Sequence, residues 1–267
     1  MATNIGGSTD RSVSVGRVFS RAFSTIGSNP LTVFGIAFLF GALPSVAMAY
    51  LGQSLRTSVA TAPNFTAWSI ALPIAQVVIG IALAMIVQGA LVRATVAHSQ
   101  GREAGFGESA LAGLQVIVPL FIVGLLLGLA VMFGLILLIV PGIMLYIMWS
   151  VAGPVLVEER SGIFAAFGRS RYLTSGARWP VFGINLLLVV IMWAFAALLG
   201  AALFAIYGLQ GVAGAFAQGL PIWYLIVSSV ISTVSTAIST TIQTSIYVEL
   251  RDWKDGPATD ALSDIFA

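Results

Sequence analysis

Long apolar stretches separated by short polar segments dominate the hydropathy pattern of this chain. The longest, residues 111–157, contains no Asp, Glu, Lys, Arg or His and ends abruptly in Glu158-Glu159-Arg160. About 20 consecutive apolar residues in a helix span the hydrocarbon core of a bilayer, so this stretch is long enough for two crossings. Pro141 and Gly142 lie inside it, where a helix is readily broken. We therefore expect the turn between the two crossings to fall near residues 134–142.

Comparable apolar segments on both sides bring the predicted number of membrane spans to six. The pattern predicts an all-α, polytopic membrane protein built from three helical hairpins, with a single membrane domain over residues 10–255. We expect residues 1–9 to be disordered, because they are small and polar, and residues 256–267 to form a short cytoplasmic tail. The predicted spans cover residues 31–51, 67–92, 114–136, 139–157, 181–207 and 222–248.

Two polar segments that adjoin spans have the spacing of amphipathic helices. In the first, Val18 and Ala22 lie with other apolar residues on one helical face, and Arg17 and Arg21 fall on the opposite face. Such a helix either lies in the membrane interface or packs on the cytoplasmic side of the protein itself. We interpret the second segment, residues 161–176, as an interfacial helix that carries arginines.

A short repeat relates these two segments to each other. Residues 33–36 read Val-Phe-Gly-Ile and recur at 181–184, in both cases near the start of the span that follows an amphipathic helix. A degenerate third copy at residues 108–118 would complete three units, each a short helix followed by a helical hairpin. Gly124 and Gly128, in the third span, form a GxxxG pair that permits a close approach between helices.

The composition of the chain excludes a water-soluble domain and several kinds of chemical site. Hydrophobic residues make up 58% of the chain and charged residues 8%, whereas about 25% of the residues in soluble domains are charged. The chain has no Cys and a single His, His98, which excludes disulfides, thiolate sites and multi-histidine metal sites. A net charge of +2 gives no reason to expect nucleic acid as a partner. No glycine-rich phosphate loop is present, and we predict no cofactor.

The distribution of basic residues predicts the orientation in the membrane. Eleven of the 12 Lys and Arg residues precede the first span, follow the last, or lie between spans two and three or four and five. Only Arg56 falls on the other side. The positive-inside rule therefore places both termini in the cytoplasm and predicts a multi-pass protein with short, nearly uncharged external loops.

Several short motifs occur together in the second half of the chain. One apolar run ends in Pro-Gly at residues 141–142, and the fourth span ends with a Pro-x-x-x-x-Glu pattern at residues 154–159. Residues 168–176 read Gly-Arg-Ser-Arg-Tyr-Leu-Thr-Ser-Gly, and residues 247–251 read Tyr-Val-Glu-Leu-Arg.

With these motifs, most of residues 12–255 resemble the six-helix membrane domain of some bacterial glycerophosphoryl diester phosphodiesterases and the related stand-alone inner-membrane proteins. In the fused enzymes the chemistry belongs to a separate soluble barrel domain, for which the segments between these spans leave no room. The resemblance thus implies the architecture and a bacterial inner membrane, but not the phosphodiesterase activity.

The arginines around the second amphipathic segment are candidate contacts for anionic lipid headgroups, because the guanidinium group matches the geometry of phosphate. The alternative is that they only provide the usual excess of positive charge on the cytoplasmic side. These residues are Arg160, Arg169, Arg171 and Arg178.

The sixth predicted span is far more polar than the others and offers a second candidate surface. Its hydroxyl and amide side chains would line a polar cavity or path, or they would pack between helices and bond to their own backbone. The positions singled out are Thr233, Thr236, Thr240 and Gln243.

No residue pattern indicates catalysis. Glu158 and Glu159 are paired carboxylates at a membrane edge, a position where acidic residues commonly end a span and pair with arginines. We therefore predict a non-catalytic inner-membrane protein, either a partner-binding subunit or a factor in envelope and lipid homeostasis. Its expected partners are membrane lipids and another membrane protein or a second copy of itself. The alternative is a facilitator of lipid or small-molecule movement, with the sixth span lining the path.

Overall fold

The computed structural model describes residues 13–60, 67–102 and 104–256, and this part of the chain is helical, without β-strands. The predicted disordered start, residues 1–9, lies outside the described residues, as does the tail beyond Gly256. A π-helical segment, Ala37–Ala42, separates the second and third α-helices. The α-helices are α1 Val15–Ser28, α2 Pro30–Ile36, α3 Leu43–Ala60, α4 Ala67–Ser99, α5 Phe106–Gln115, α6 Ile117–Leu137, α7 Ile139–Trp149, α8 Ala152–Glu159, α9 Ile163–Thr174, α10 Arg178–Gln218 and α11 Ile222–Asp255.

Six helical stretches are long and apolar enough to cross a membrane, as predicted, and each overlaps one predicted span. Three of them contain 30 residues or more, which exceeds the about 20 residues needed to cross the hydrocarbon core. Their surfaces carry exposed large apolar side chains such as Val118, Leu137 and Leu198, as a surface that faces lipid requires. The stretches are Pro30–Gln53, Ile70–Ser99, Ile117–Leu137, Ile139–Glu159, Arg178–Val212 and Ile222–Asp255.

The short helices α1, α5 and α9 each precede an odd-numbered span, as the sequence repeat predicts. Helix α5 packs along the end of α4, and α9 packs against α7 and α8. Helix α1 packs on α11 and α4, and its Val18 and Ala22 are fully buried. The buried face of α1 therefore contacts the protein itself, in line with the second of the two interpretations of this helix.

The sixth span, α11, packs against α1 and α9 and against spans one, two, four and five. Ile242, Ile246 and Tyr247 are almost fully buried, together with Thr241 and other hydroxyl residues on the same helix. This arrangement explains the polarity of the helix, because a hydroxyl-bearing face packs better between helices than against lipid. Span five, by contrast, packs mainly against α7 and α11 among the described residues.

Glycines mark two close approaches between helices. A Cβ atom on Gly134 would lie 2.8 Å from the Cα atom of Gly142, where α6 and α7 meet beside the extended residue Leu138. The turn thus falls inside the predicted range. On α5, a Cβ on Gly113 would collide with the carbonyl oxygen of Ile86 in α4. The GxxxG pair at positions 124 and 128 permits a close approach, but the described chain makes none there, because a Cβ at either position would meet no atom within 4 Å.

The π-helical turn in span one has a local cause. Pro44 has no N–H and would collide with the carbonyl of the preceding turn, so the regular hydrogen-bond ladder cannot continue through it. Hydroxyl groups satisfy the carbonyls around it: Ser45 Oγ donates to the Gly41 oxygen at 2.6 Å, and Ser229 Oγ from α11 donates to the Ala42 oxygen at 3.0 Å.

Candidate functional site

One end of the bundle carries a network of charged side chains, here called the charged end. At its centre is Glu249 of α11, which is only 4% exposed. Its Oε1 atom accepts a hydrogen bond from the Nε atom of Arg17 at 2.7 Å, and this bond raises the pKa of the Arg17 guanidinium. Arg21 donates to Asp252 at 3.2 Å. The two arginines on the polar face of α1 therefore anchor that helix to α11.

A second set of ion pairs joins α4 to α5 and α8. Arg93 lies 3.0 Å from Glu108 and 3.7 Å from Glu158, measured between guanidinium nitrogen and carboxylate oxygen. Gln100 also donates to Glu158, at 3.3 Å. Glu158 therefore holds the end of span four against span two. This is the structural role expected of an acidic residue that ends a span and pairs with an arginine.

Glu159 bridges α8, α9 and α11. It accepts hydrogen bonds from Arg169 Nε at 3.0 Å and from the Tyr247 hydroxyl at 3.1 Å. Arg169 also donates to Asp255, and this hydrogen bond raises the pKa of its guanidinium further above the ordinary value. Among the four predicted headgroup contacts, Arg169 is therefore engaged inside the protein.

The other three predicted headgroup contacts are exposed. Within the described residues, Arg160, Arg171 and Arg178 form no ion pair or hydrogen bond with an acidic side chain. Arg160 ends α8 with a left-handed backbone conformation, at φ 46°. Gly176, two residues before Arg178, lies against Trp253 of α11, which places the start of α10 near the charged end.

A groove of about 510 Å³ runs between α7 and the start of α10. Its walls are apolar, and the only charged group among its described lining residues is Arg178. This groove was not predicted from the sequence, because its α7 wall resembles any lipid-facing surface. The feature of the sequence that could have indicated it is the adjacent pair Arg178 and Trp179 at the start of a span. The groove is lined chiefly by Val140, Ile143, Met144, Arg178, Trp179 and Phe182.

The predicted polar face of span six divides into two regions. Thr233 and Thr236 line a cavity of about 190 Å³ between spans one, two and six, together with Ser45 and Ser232. Thr233 also donates to the Ser229 carbonyl oxygen at 2.8 Å, as expected for a hydroxyl that bonds to its own helix. Thr240 does not line this cavity.

Gln243 belongs to a separate polar cluster that joins spans four, five and six. Its side-chain nitrogen donates to Asn185 Oδ1 at 2.5 Å, and the Tyr146 hydroxyl donates to the same oxygen at 3.0 Å. Asn185 is nearly fully buried, and its amide nitrogen donates to the Val181 carbonyl oxygen. The arrangement is a hydrogen-bonded contact between helices in an apolar environment.

The described residues contain no group of three His, Asp or Glu side chains that could hold a metal ion. The single histidine, His98, lies beside the hydroxyl groups of Ser24 and Ser28, both at 3.2 Å from a ring nitrogen. These neighbours are hydroxyls on α1, and they hold the end of α4 against that helix.

No protein-family model matches the chain, and no curated protein or solved structure is significantly similar to it. The resemblance to the phosphodiesterase membrane domains therefore stays a prediction. The geometry offers three exposed guanidinium groups, of which Arg178 lines an apolar groove, and a guanidinium group matches the geometry of phosphate.

Proposed function

We propose that this protein is a non-catalytic, multi-pass protein of a bacterial inner membrane that binds anionic phospholipids and acts in envelope or lipid homeostasis. The observation that carries the proposal is the contrast between paired and unpaired arginines. Arg160, Arg171 and Arg178 are exposed without an acidic partner among the described residues, whereas the arginines on α1 and Arg169 are bound by carboxylates.

The acidic side chains support the non-catalytic part of the proposal. Each described carboxylate at the charged end is within ion-pair distance of an arginine, so it already has a structural use. Among the four predicted headgroup contacts, Arg160, Arg171 and Arg178 therefore keep a positive charge that no described carboxylate binds. The paired acids are Glu108, Glu158, Glu159, Glu249, Asp252 and Asp255.

The test is to reconstitute the protein in vesicles of phosphatidylglycerol and phosphatidylethanolamine, extract it gently, and measure the lipids that copurify. We expect enrichment of phosphatidylglycerol over its share of the vesicle lipid, and loss of that enrichment when Arg160, Arg171 and Arg178 are all replaced by Gln. Arg102→Gln, which removes one charge from the segment between α4 and α5, is the control. Lipids copurifying in the vesicle ratio would contradict the proposal.

A partner-binding subunit is the other form that this function takes. The ion pairs of the charged end would then keep a docking surface in its conformation. A second polypeptide would copurify with the protein when it is extracted from its native membrane. A stoichiometric partner in the same extraction, recovered without enriched lipid, would favour that form.

The second candidate function is a facilitator of lipid or small-molecule movement. The observation that favours it is the cavity lined by Thr233 and Thr236, which lies beside the π-helical segment of span one. Its 190 Å³ is enough for several water molecules, at about 30 Å³ each. Replacing Thr233, Thr236 and Thr240 by Leu should abolish flux through liposomes if this reading holds, and should change only stability if it does not.

A further inference from the structure

We propose that the groove between α7 and the start of α10 binds one anionic phospholipid, with the lipid phosphate against Arg178 and an acyl chain along α7. This inference rests on the proposed function, because it assigns the preference for anionic lipid to one site.

The walls of the groove are suited to an acyl chain. Val140, Ile143 and Met144 form one side and Phe182 lies on the other. Val140 is 66% exposed, so no described part of the chain covers this surface. The volume of about 510 Å³ falls within the range of roughly 300–1,000 Å³ that small-molecule sites occupy. In a bilayer, such an apolar surface is in contact with lipid tails unless another helix covers it.

The polar end of the groove distinguishes it from an ordinary lipid-facing surface. Arg178 is exposed and has no acidic partner among the described residues, so its charge is available to a phosphate. Trp179, 82% exposed beside it, is the kind of amphipathic side chain that concentrates at the level of lipid headgroups.

Charge complementarity selects the headgroup. Both anionic and zwitterionic phospholipids carry a phosphate, but only the anionic lipid brings a net negative charge to the unpaired guanidinium of Arg178. Arg169 cannot substitute for it, because Glu159 and Asp255 already bind its guanidinium. At this groove, an unpaired positive charge and an apolar surface coincide among the described residues.

The experiment titrates the full-length protein in detergent with phosphatidylglycerol and with phosphatidylethanolamine of identical acyl chains. Native mass spectrometry then gives the dissociation constant of the first lipid bound. We expect the wild type to prefer phosphatidylglycerol, and Arg178→Gln to weaken the first phosphatidylglycerol about fivefold, the effect of one cation near an anionic surface. Arg178→Lys, which keeps the charge, should retain most of the preference and reports on whether the position tolerates substitution.

Two further variants separate the groove from charge in general. Met144→Phe narrows the apolar wall without touching the charge, and we expect it to weaken the first lipid of both kinds. Arg171→Gln removes the same charge from α9, outside the groove, and we expect it to affect only lipids bound later.

Three results would overturn the site. Equal effects of Arg178→Gln and Arg171→Gln on the first lipid would mean that the attraction is diffuse, and would leave the proposed function standing. Displacement of the lipid by millimolar inorganic phosphate would mean that the apolar groove contributes nothing to lipid binding. A dimer that Met144→Phe dissociates would identify a second copy of the chain as the occupant of the groove. A wild type without any preference for phosphatidylglycerol would overturn the proposed function itself.

Discussion

At the scale of single residues, the carboxylates of the charged end are fastened to arginines that lie far away in the sequence. Arg17 and Glu249 are separated by 232 positions, and Glu249 is almost fully buried, so this pair holds the first described helix to the last. Arg93 and Glu108 form a comparable contact nearer the surface, where water screens the charges. Burial therefore sets how much each pair contributes.

Replacing Glu249 by Gln should destabilise the protein, because its carboxylate lies 2.6 Å from a guanidinium nitrogen of Arg17 and 3.9 Å from one of Arg21, and both arginines lose that charge. We expect a loss of about 1–3 kcal/mol in the free energy of unfolding, as for a broken hydrogen bond between charged groups. Thermal unfolding followed by tryptophan fluorescence measures this loss. Glu108→Gln, at the half-exposed pair, is the control and should lose less than about 1 kcal/mol. Equal losses for the two variants would show that the buried pair has no special role.

The motifs of the charged end were visible in the sequence, but their partners were not. The run of basic residues marked Arg169 and Arg178 alike, since both lie between spans four and five. Only the folded structure shows that their environments differ. Asp255, at the end of α11 and 86 positions from Arg169, binds Arg169 and does not bind Arg178. Spacing along one helix carries no information about such a contact.

At the scale of elements, the spans were predictable because hydropathy and helical length are local properties. The fourth span was predicted at 139–157 and occupies Ile139–Glu159. The second was predicted to end at residue 92 but continues to Ser99, because the end of α4 packs against α1 and α5 outside any hydropathy signal. The groove was not predictable, since it depends on how α7 and α10 diverge.

The contact between α4 and α5 offers a test of helix packing at one position. Gly113→Ala should destabilise the protein by about 1–3 kcal/mol, because the new methyl group would meet the backbone carbonyl of Ile86, which cannot turn away. The matched control is Gly107→Ala on the same helix, where a Cβ meets no atom within 4 Å. Thermal unfolding in detergent compares them, and a larger loss for Gly107→Ala would contradict the packing described here.

The attachment of span five depends on the polar cluster around Asn185. Asn185→Leu should cost about 1–2 kcal/mol, because the Tyr146 and Gln243 side chains lose their common acceptor within the membrane. Tyr146→Phe removes one of the two bonds and should cost about half as much. Limited proteolysis of the segment between spans five and six reports on loosening of span five. No difference between the two variants would mean that Asn185 contributes only by its size.

At the scale of the whole molecule, the described chain forms three units, each a short helix followed by two spans, and α11 of the third unit packs against spans one, two, four and five. Because the three short helices precede spans one, three and five, they share one end of the bundle with most of the basic residues. The positive-inside rule predicts that this end faces the cytoplasm. The opposite end, where α6 turns into α7, carries exposed apolar residues such as Leu138.

The predicted orientation can be tested directly because the chain has no cysteine. A single cysteine in place of Gln100, between spans two and three, should react with a membrane-impermeant thiol reagent only after cells are opened. A cysteine in place of Leu138, between spans three and four, should react in intact cells. The reverse pattern would invert the topology and move the arginines to the external face.

The most direct test of the central claim is native mass spectrometry of the protein extracted gently from its own membrane. A protein that binds anionic phospholipid through unpaired arginines should carry these lipids well above their share of the membrane, and Arg178→Gln should lose the most tightly held one. Bound lipids in the proportions of the bulk membrane, unchanged in that variant, would contradict the account.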